Sequence, residues 1–128
     1  MPVLLDTNVA IHLRDGDARV ADKILALGEP LLLSIVTQIE LEGGVYRDPA
    51  QIGVRRARLD AILSTIPVLA FDAASADAYR MIVEAAGYSR RKLLDRMIAA
   101  QALAHRATLA TLNQSDFSDV PGLQMLAW

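Results

Sequence analysis

The sequence lacks several features that would point to particular classes of protein. It contains no cysteine, which excludes a disulfide framework and thiolate metal sites and fits a reducing compartment. Aromatic residues make up only 5% of the chain, too few for a platform on which single-stranded nucleic-acid bases stack. The 13 basic and 15 acidic residues leave a net charge of −2, so binding of any polyanion needs a local basic patch.

Long apolar segments are missing as well. No stretch approaches the ~18 consecutive apolar residues that a membrane span needs, and no basic region followed by a long apolar core opens the chain. We therefore expect a soluble, unexported, cytoplasmic protein. The length of 128 residues suits a single domain, residues 1–128. Because 53% of the residues are hydrophobic, we also expect part of the apolar surface to be buried between subunits.

Short aliphatic runs alternate with helix-like segments along the whole chain. Such runs are typical of strands that are buried on both faces of a sheet. They predict strands at residues 3–5, 31–35, 67–71 and 108–112, with a short edge strand at 123–126. The alternation predicts right-handed crossovers and a mainly parallel central sheet in an α/β fold, a three-layer α/β/α sandwich.

Several polar residues at the junctions have an ordinary structural explanation. Any of Asp6, Thr7 and Asn8 can cap the helix that follows the first strand. Thr37 and Glu40 have the spacing of a capping box, in which each side chain accepts a hydrogen bond from a backbone amide of the other residue. Caps of this kind contribute roughly 0.5–2 kcal/mol each and need no catalytic role.

Four acids nevertheless stand at comparable places in the predicted fold. Asp6 follows the first strand, Glu40 lies one turn into the helix after the second, Asp95 opens a helix, and Asp116 follows the last central strand. In a parallel sheet the strand-to-helix junctions share one edge, so these side chains can meet if the helix of Asp95 also begins there. A cluster of carboxylates repels itself unless a divalent cation lies at its centre, and oxygen ligands suit Mg²⁺ or Mn²⁺.

The neighbours of these acids carry a family resemblance over nearly the whole chain. Four segments occur in order: LLDTN at residues 4–8, SIVTQIEL at 34–41 with Gly43 or Gly44 close behind, DRMIAAQA at 95–102, and LATLN at 109–113 followed by Asp116, Phe117 and VPGL at 120–123. Together they resemble a PIN-domain ribonuclease of the VapC toxin type. A single DTN motif would be weak evidence, whereas four segments at family-like intervals are specific.

The resemblance implies a metal-dependent endoribonuclease, the toxin of a toxin–antitoxin pair, acting on tRNA or another structured RNA. Asp6, Glu40 and Asp95 would form the acidic core that holds Mg²⁺ or Mn²⁺, and Asp116 would be a fourth, looser acid. The metal would activate a water molecule to hydrolyse an RNA phosphodiester. The side chains that would orient these acids are Thr7, Asn8, Thr111 and Asn113.

Basic residues that flank Asp95 supply the local candidates for contact with the RNA backbone, Arg90, Arg91, Lys92 and Arg96. A solvated face at the start of a helix explains the same charges equally well. The resemblance further implies a homodimer and a cognate antitoxin that covers the acidic groove, with the two proteins forming a hetero-oligomer.

Three other functions fit the sequence less well. A phosphatase of the haloacid-dehalogenase type, in which the acid ending the first strand attacks a phosphate, wants a second Asp two residues on, where Asn8 stands. A phospho-receiver wants an acidic pair after that strand, and only Asp6 is present. A catalytically silent PIN partner that acts by binding alone gains no support from a chain that has all four acids.

Overall fold

The computed structural model describes all residues from Met1 to Trp128, and its framework is a five-stranded sheet. The strands lie in the order β3-β2-β1-β4-β5, and every neighbouring pair is parallel. The predicted sheet is therefore confirmed, with no antiparallel strand. In chain order the strands are β1 (Val3–Leu5), β2 (Leu31–Ser34), β3 (Val68–Leu69), β4 (Thr108–Thr111) and β5 (Met125–Ala127).

Six α-helices connect the strands and cover both faces of the sheet, which confirms the three-layer arrangement. None of them is both long and apolar enough to cross a membrane. They are α1 (Thr7–Arg14), α2 (Ala18–Leu27), α3 (Ile35–Arg47), α4 (Ile52–Thr65), α5 (Ala73–Ala86) and α6 (Leu93–Ala104). Two short 3₁₀ helices, Pro49–Gln51 and Gln114–Phe117, complete the structure.

The alternation of side chains along β1 divides the core into two layers. Val3 and Leu5 pack with the residues of α1 to α4 on one face, and Leu4 packs with α5 and α6 on the other. All three side chains are buried. Because successive strand residues point to opposite faces, a strand in the middle of a three-layer sandwich must be apolar at every position.

The register of the central strands brings their carboxyl ends to one level. Leu5 of β1 pairs with Leu33 of β2 and with Ala110 of β4. The residues that follow these three strands therefore emerge at the same edge of the sheet, where ligands bind in open parallel sheets. We refer to it as the carboxyl edge.

The start of α3 differs from the sequence-based prediction. The predicted capping box at Thr37 and Glu40 is wrong, because the helix begins at Ile35 and is capped by Ser34, whose Oγ accepts a hydrogen bond from the amide of Val36 at 3.0 Å. The second strand thus ends one residue earlier than predicted. Thr37 and Glu40 are left free to make contacts outside their own helix.

The third strand is also shorter than the predicted run of residues 67–71. Only Val68 and Leu69 form it, although the carbonyl of Pro67 still accepts a hydrogen bond from the amide of Leu33 at 2.9 Å. Asp72 caps α5 by accepting a hydrogen bond from the amide of Ser75. Edge strands tolerate such shortening because one side of the strand has no partner.

Ser34 offers a test of how the helix cap and the buried polar contacts stabilise the carboxyl edge. Its side chain is fully buried, caps α3 and donates a hydrogen bond to Oε1 of the buried Gln101. We expect Ser34→Ala to lower the free energy of unfolding by about 2–4 kcal/mol, because it removes a cap and leaves a buried amide oxygen unpaired. Urea unfolding measures this change. The exposed Ser64 of α4 is the control, since Ser64→Ala should stay within about 0.5 kcal/mol of the parent.

Candidate metal centre

Asp6 is the buried acid of the carboxyl edge. It follows β1 directly and caps α1, and only 3% of its surface is exposed. One carboxylate oxygen accepts a hydrogen bond from the amide of Thr7 at 2.8 Å, and the other accepts from Oγ1 of Thr111 at 2.9 Å. Each carboxylate oxygen has a second lone pair, so both can still face a cation. Capping and metal binding are therefore compatible roles for Asp6.

Glu40 is connected to the same edge through two buried threonines. Oγ1 of Thr7 donates to Oε1 of Glu40 at 3.0 Å, and it also lies 2.8 Å from Oγ1 of Thr37. Because a hydroxyl has only one proton to donate, Thr37 is the donor in the second contact. A chain of two hydroxyls thus joins α1 to α3 and holds the carboxylate of the exposed Glu40 beside the start of α1.

Asp95 reaches this edge because of the direction of α6. The helix ends at Ala104 and leads into β4, which begins at Thr108, so the first turn of α6 lies at the opposite, carboxyl edge of the sheet. Asp95 is in that first turn and is half-buried. An acid in the first turn also interacts favourably with the amino-terminal end of the helix dipole.

Asp116 is the fourth acid and comes from the segment that follows β4. It lies in the 3₁₀ helix that follows β4, and its side chain is exposed. The neighbouring Phe117 is almost fully buried and anchors this turn against the side chains of α6. The exposure of Asp116 agrees with a looser place at the rim of the site.

The pKa values of the two more buried acids show that the carboxylates influence one another. Burial raises the pKa of Asp6, hydrogen bonds from Thr111 and Thr7 oppose the rise, and the charges of Glu40 and Asp116 add to it. Burial likewise raises the pKa of Asp95, and the charges of Asp6 and Asp116 raise it further, against a smaller effect of Lys92. Four acids from distant parts of the chain therefore face a common region.

The chemistry of these side chains fits a divalent cation. All are carboxylates, the hard oxygen ligands that Mg²⁺ and Mn²⁺ prefer, and a cation would relieve the repulsion that raises the pKa of Asp6 and Asp95. In this structure, however, no three of the acidic or histidine side chains are close enough together to hold a metal ion. The four acids therefore surround one region, but their carboxylates lie too far apart to coordinate a single ion together.

The residues expected to orient the acids divide into two pairs. Thr7 and Thr111 make the expected contacts with Glu40 and Asp6. The side chains of Asn8 and Asn113 are exposed and make no hydrogen bond in the protein, although the amide of Asn113 donates to Oγ1 of Thr111 at 3.0 Å. Only the threonines support the acids directly.

The four basic residues that flank Asp95 also differ in their exposure and contacts. Arg90 and Arg91 are exposed and form no ion pair. The expected contact of Arg96 with RNA does not fit its position, since the side chain is 3% exposed, and it donates to Asp119 at 3.0 Å and to the carbonyl of Gly87. Lys92 binds the same carboxylate at 3.1 Å. Arg96 therefore fastens the start of α6 to its surroundings.

The sequence analysis missed two buried residues of the carboxyl edge, Ser34 and Gln101. Gln101 of α6 accepts from Ser34 through Oε1 and donates through Nε2 to the carbonyls of Leu69 and Ala70, at 3.1 and 3.2 Å. It ties the ends of β2 and β3 to the helix that carries Asp95. A polar Gln101 within an alanine-rich, buried helix face was the available signal, because a buried amide needs partners.

Comparison with known proteins identifies the family. A model of the PIN domain matches residues 3–123. The chain belongs to the PIN-domain family. It is 28% identical over 134 residues to ribonuclease VapC2 of Rickettsia felis, covering 100% of this chain and 98% of that protein. These findings confirm the resemblance to VapC-type PIN domains, and they give no support to a phospho-receiver or a haloacid-dehalogenase fold.

Solved structures agree over the full length. The crystal structure of VapBC2 from Rickettsia felis bound to a DNA fragment from its promoter superposes with a TM-score of 0.84 at 26% identity, covering 100% of this chain and 99% of that chain. A toxin–antitoxin complex from Klebsiella pneumoniae gives a TM-score of 0.77 at 26% identity, covering 98% and 96% of the two chains. The fold and the sequence resemblance thus lead to the same family.

The raised pKa of Asp6 predicts that this site destabilises the metal-free protein. Because the folded chain binds a proton at Asp6 more readily than the unfolded chain, where the pKa is near 3.9, stability falls as the pH rises through the folded value. Asp6→Asn removes the charge and keeps an oxygen that can accept from Thr7. In EDTA at pH 7 we expect the variant to melt about 3 °C or more above the parent, a difference that shrinks toward pH 4.

Thermal denaturation at several pH values measures this effect. Asp22→Asn is the matched control, because Asp22 is exposed on α2 and makes no hydrogen bond or ion pair. A lower melting temperature for Asp6→Asn than for Asp22→Asn at pH 7 would show that the hydrogen bonds of Asp6 outweigh its burial and the repulsion.

Proposed function

We propose that the protein is a Mg²⁺- or Mn²⁺-dependent endoribonuclease that acts as the toxin of a toxin–antitoxin pair. The observation that carries this proposal is the gathering of Asp6, Glu40, Asp95 and Asp116 at the carboxyl edge in a chain of the PIN-domain family. The 28% identity to a protein named ribonuclease VapC2 supports cleavage of RNA in particular.

The acids act by holding the metal rather than by attacking the substrate. Asp6 and Asp95 supply the inner carboxylates, Glu40 approaches from α3, and Asp116 closes the exposed rim. A divalent cation held by these acids would lower the pKa of a bound water and would stabilise charge on the phosphate and on the leaving oxygen. Thr111 and Thr7 keep Asp6 and Glu40 in place by donating hydrogen bonds to their charged forms.

Substrate RNA must reach an acidic site on a protein of net charge −2. Arg90 and Arg91 are exposed, form no ion pair and precede the helix of Asp95, so we assign them to contacts with RNA phosphates. Lys92 can contribute only in part, because it already binds Asp119 at 3.1 Å. A tRNA or another structured RNA is the substrate class that the family resemblance implies.

The partner proposed for this chain is a cognate antitoxin that covers the acidic edge, together with a second copy of the toxin. The structural relative from Klebsiella pneumoniae is a toxin–antitoxin complex, and it aligns with 98% of this chain. Large apolar side chains are exposed on several helices, among them Leu25 on α2, which is 82% exposed, and Met81 on α5, which is 68% exposed. Apolar residues left in water on two different helices suit contacts with partner chains.

Replacing a central acid should abolish catalysis without unfolding the protein. We expect Asp6→Asn and Asp95→Asn to lower Mg²⁺-dependent cleavage of RNA by more than about 100-fold, since even the partners of metal ligands usually contribute 10–100-fold. Both variants should also relieve the growth arrest that expression of the parent causes. Asp22→Asn should leave cleavage and growth arrest unchanged, because Asp22 lies on α2 away from the acids.

Sequencing of RNA 5′ ends in cells shortly after induction, compared between the parent and Asp6→Asn, tests catalysis and identifies the target together. New ends that depend on Asp6 support the nuclease. Identical 5′ ends from both chains would instead favour a silent PIN partner that acts through binding.

A further inference from the structure

A second groove opens directly beside Glu40, which is one of its lining residues. Its volume is about 780 Å³, and its walls come from the end of α1, the second half of α3 and the start of α4. Glu40 belongs both to the acidic site and to this groove, so the two are continuous. Arg14, Arg47 and Arg55 also line the groove, and only one of its lining residues is hydrophobic.

Arg14 is an unusual residue in this groove because its charged side chain is buried. Only 4% of its surface is exposed, and its Nε donates to Asp15 at 3.1 Å. Its terminal nitrogens, Nη1 and Nη2, have no hydrogen-bond partner within the chain. These two nitrogens are not among the enclosed, unpartnered polar atoms of the chain, so they remain accessible from the groove that Arg14 lines. A guanidinium held in place by burial, with free N–H donors at its end, is suited to binding an anionic ligand.

Gly44 explains how the guanidinium fits there. A Cβ atom placed on Gly44 would lie 2.7 Å from Nη1 of Arg14, too close for any ordinary contact. A Cβ on the preceding Gly43 would meet nothing within 4 Å. Glycine weakens a helix interior by about 1 kcal/mol relative to alanine, so Gly44 disfavours α3 and makes room for Arg14. The family resemblance includes a glycine at this place, and the structure gives Gly44 this specific role.

Further charges line the walls of the groove. Arg55 donates through Nη1 to the carbonyl of Gly44 at 2.9 Å, and Arg47 is exposed without a hydrogen bond. Besides Glu40, two carboxylates line the groove: Asp15 is bound to Arg14, and Asp48 accepts a hydrogen bond from the amide of Ala50 at 3.1 Å. The terminal nitrogens of Arg14 and the whole guanidinium of Arg47 therefore remain free to bind an anion, whereas Arg55 is partly engaged by the carbonyl of Gly44.

We propose that Arg14 binds a backbone phosphate of the RNA strand next to the bond to be cut. The absence of a side chain at Gly44 leaves room for the guanidinium of Arg14, and the exposed Arg47 contacts a phosphate farther along the same strand. This inference rests on the proposed nuclease function and names the path of its substrate. A planar guanidinium binds phosphate oxygens through paired N–H donors, the arrangement for which arginine is better suited than lysine. The continuity of the groove with Glu40 favours nucleic acid over an acidic protein segment.

Direct binding of RNA tests the inference separately from cleavage. A fluorescein-labelled 12-nucleotide single-stranded RNA is titrated, in the presence of Mg²⁺ and at several salt concentrations, with chains that also carry Asp95→Asn to prevent cleavage. Adding Arg14→Gln should weaken binding about tenfold and reduce the slope of log K against log salt by about 0.7, the value for one lost phosphate contact. Gly44→Ala should have the same effect because it displaces the guanidinium.

Two control variants separate this effect from helix stability and from net charge. Gly43→Ala changes the neighbouring helix position without a clash and should bind RNA within about twofold of its parent. Arg80→Gln removes an equal charge from α5, where Arg80 is exposed and paired with Glu84, and should change binding just as little. Circular dichroism establishes that each variant is folded.

The outcomes distinguish this inference from the proposed function. Tight binding that depends on Arg14 and Gly44 supports the groove even if the parent chain cuts no RNA, a result that would overturn only the nuclease assignment. Equal RNA affinity for Arg14→Gln, Gly44→Ala and both controls would overturn the inference. An acidic segment of a protein partner would then be the better candidate for binding in the groove. If Arg14→Gln and Gly44→Ala fail to fold, Arg47→Gln decides, with an expected loss of about threefold and a slope lower by about 0.7.

Discussion

The buried carboxylate of Asp6 is the group around which the local structure is arranged. Burial and the charges of Glu40 and Asp116 favour its neutral form, whereas hydrogen bonds from the amide of Thr7 and the hydroxyl of Thr111 favour the charged form. These opposing influences place a negative charge where the protein alone stabilises it poorly. In the proposed function a cation would supply the missing stabilisation, and the electrostatic cost of the site to the fold would then be the source of affinity for the metal.

The parallel sheet is what makes this arrangement possible. Every strand of a parallel sheet ends at the same edge, and each return helix begins or ends there as well, so four short segments from distant parts of the chain deliver one acid each. An antiparallel neighbour would send its following residue to the opposite edge. The all-apolar sequence of β1 reflects the same constraint, since a strand with helices on both faces has no exposed side.

Local sequence patterns predicted the elements well and the tertiary contacts poorly. The aliphatic runs located all five strands, and the family resemblance selected the acids. The capping box failed because its Thr–x–x–Glu spacing is purely local, whereas Thr37 and Glu40 are both engaged with Thr7, which is distant in the sequence. The burial of Arg96 was equally hidden, because Asp119 and the carbonyl of Gly87 come near it only in the folded chain.

Arg14 shows why the position of a charge matters more than the total. A basic residue in the last turn of α1 is adequately explained by the helix dipole, and a pair of glycines in α3 reads as a weak helix. Only the fold places Gly44 against the guanidinium and both beside Glu40. Under the proposed function, a chain of net negative charge could bind RNA locally, because the acids that would repel RNA would hold a cation and the free donors of Arg14 lie beside Glu40.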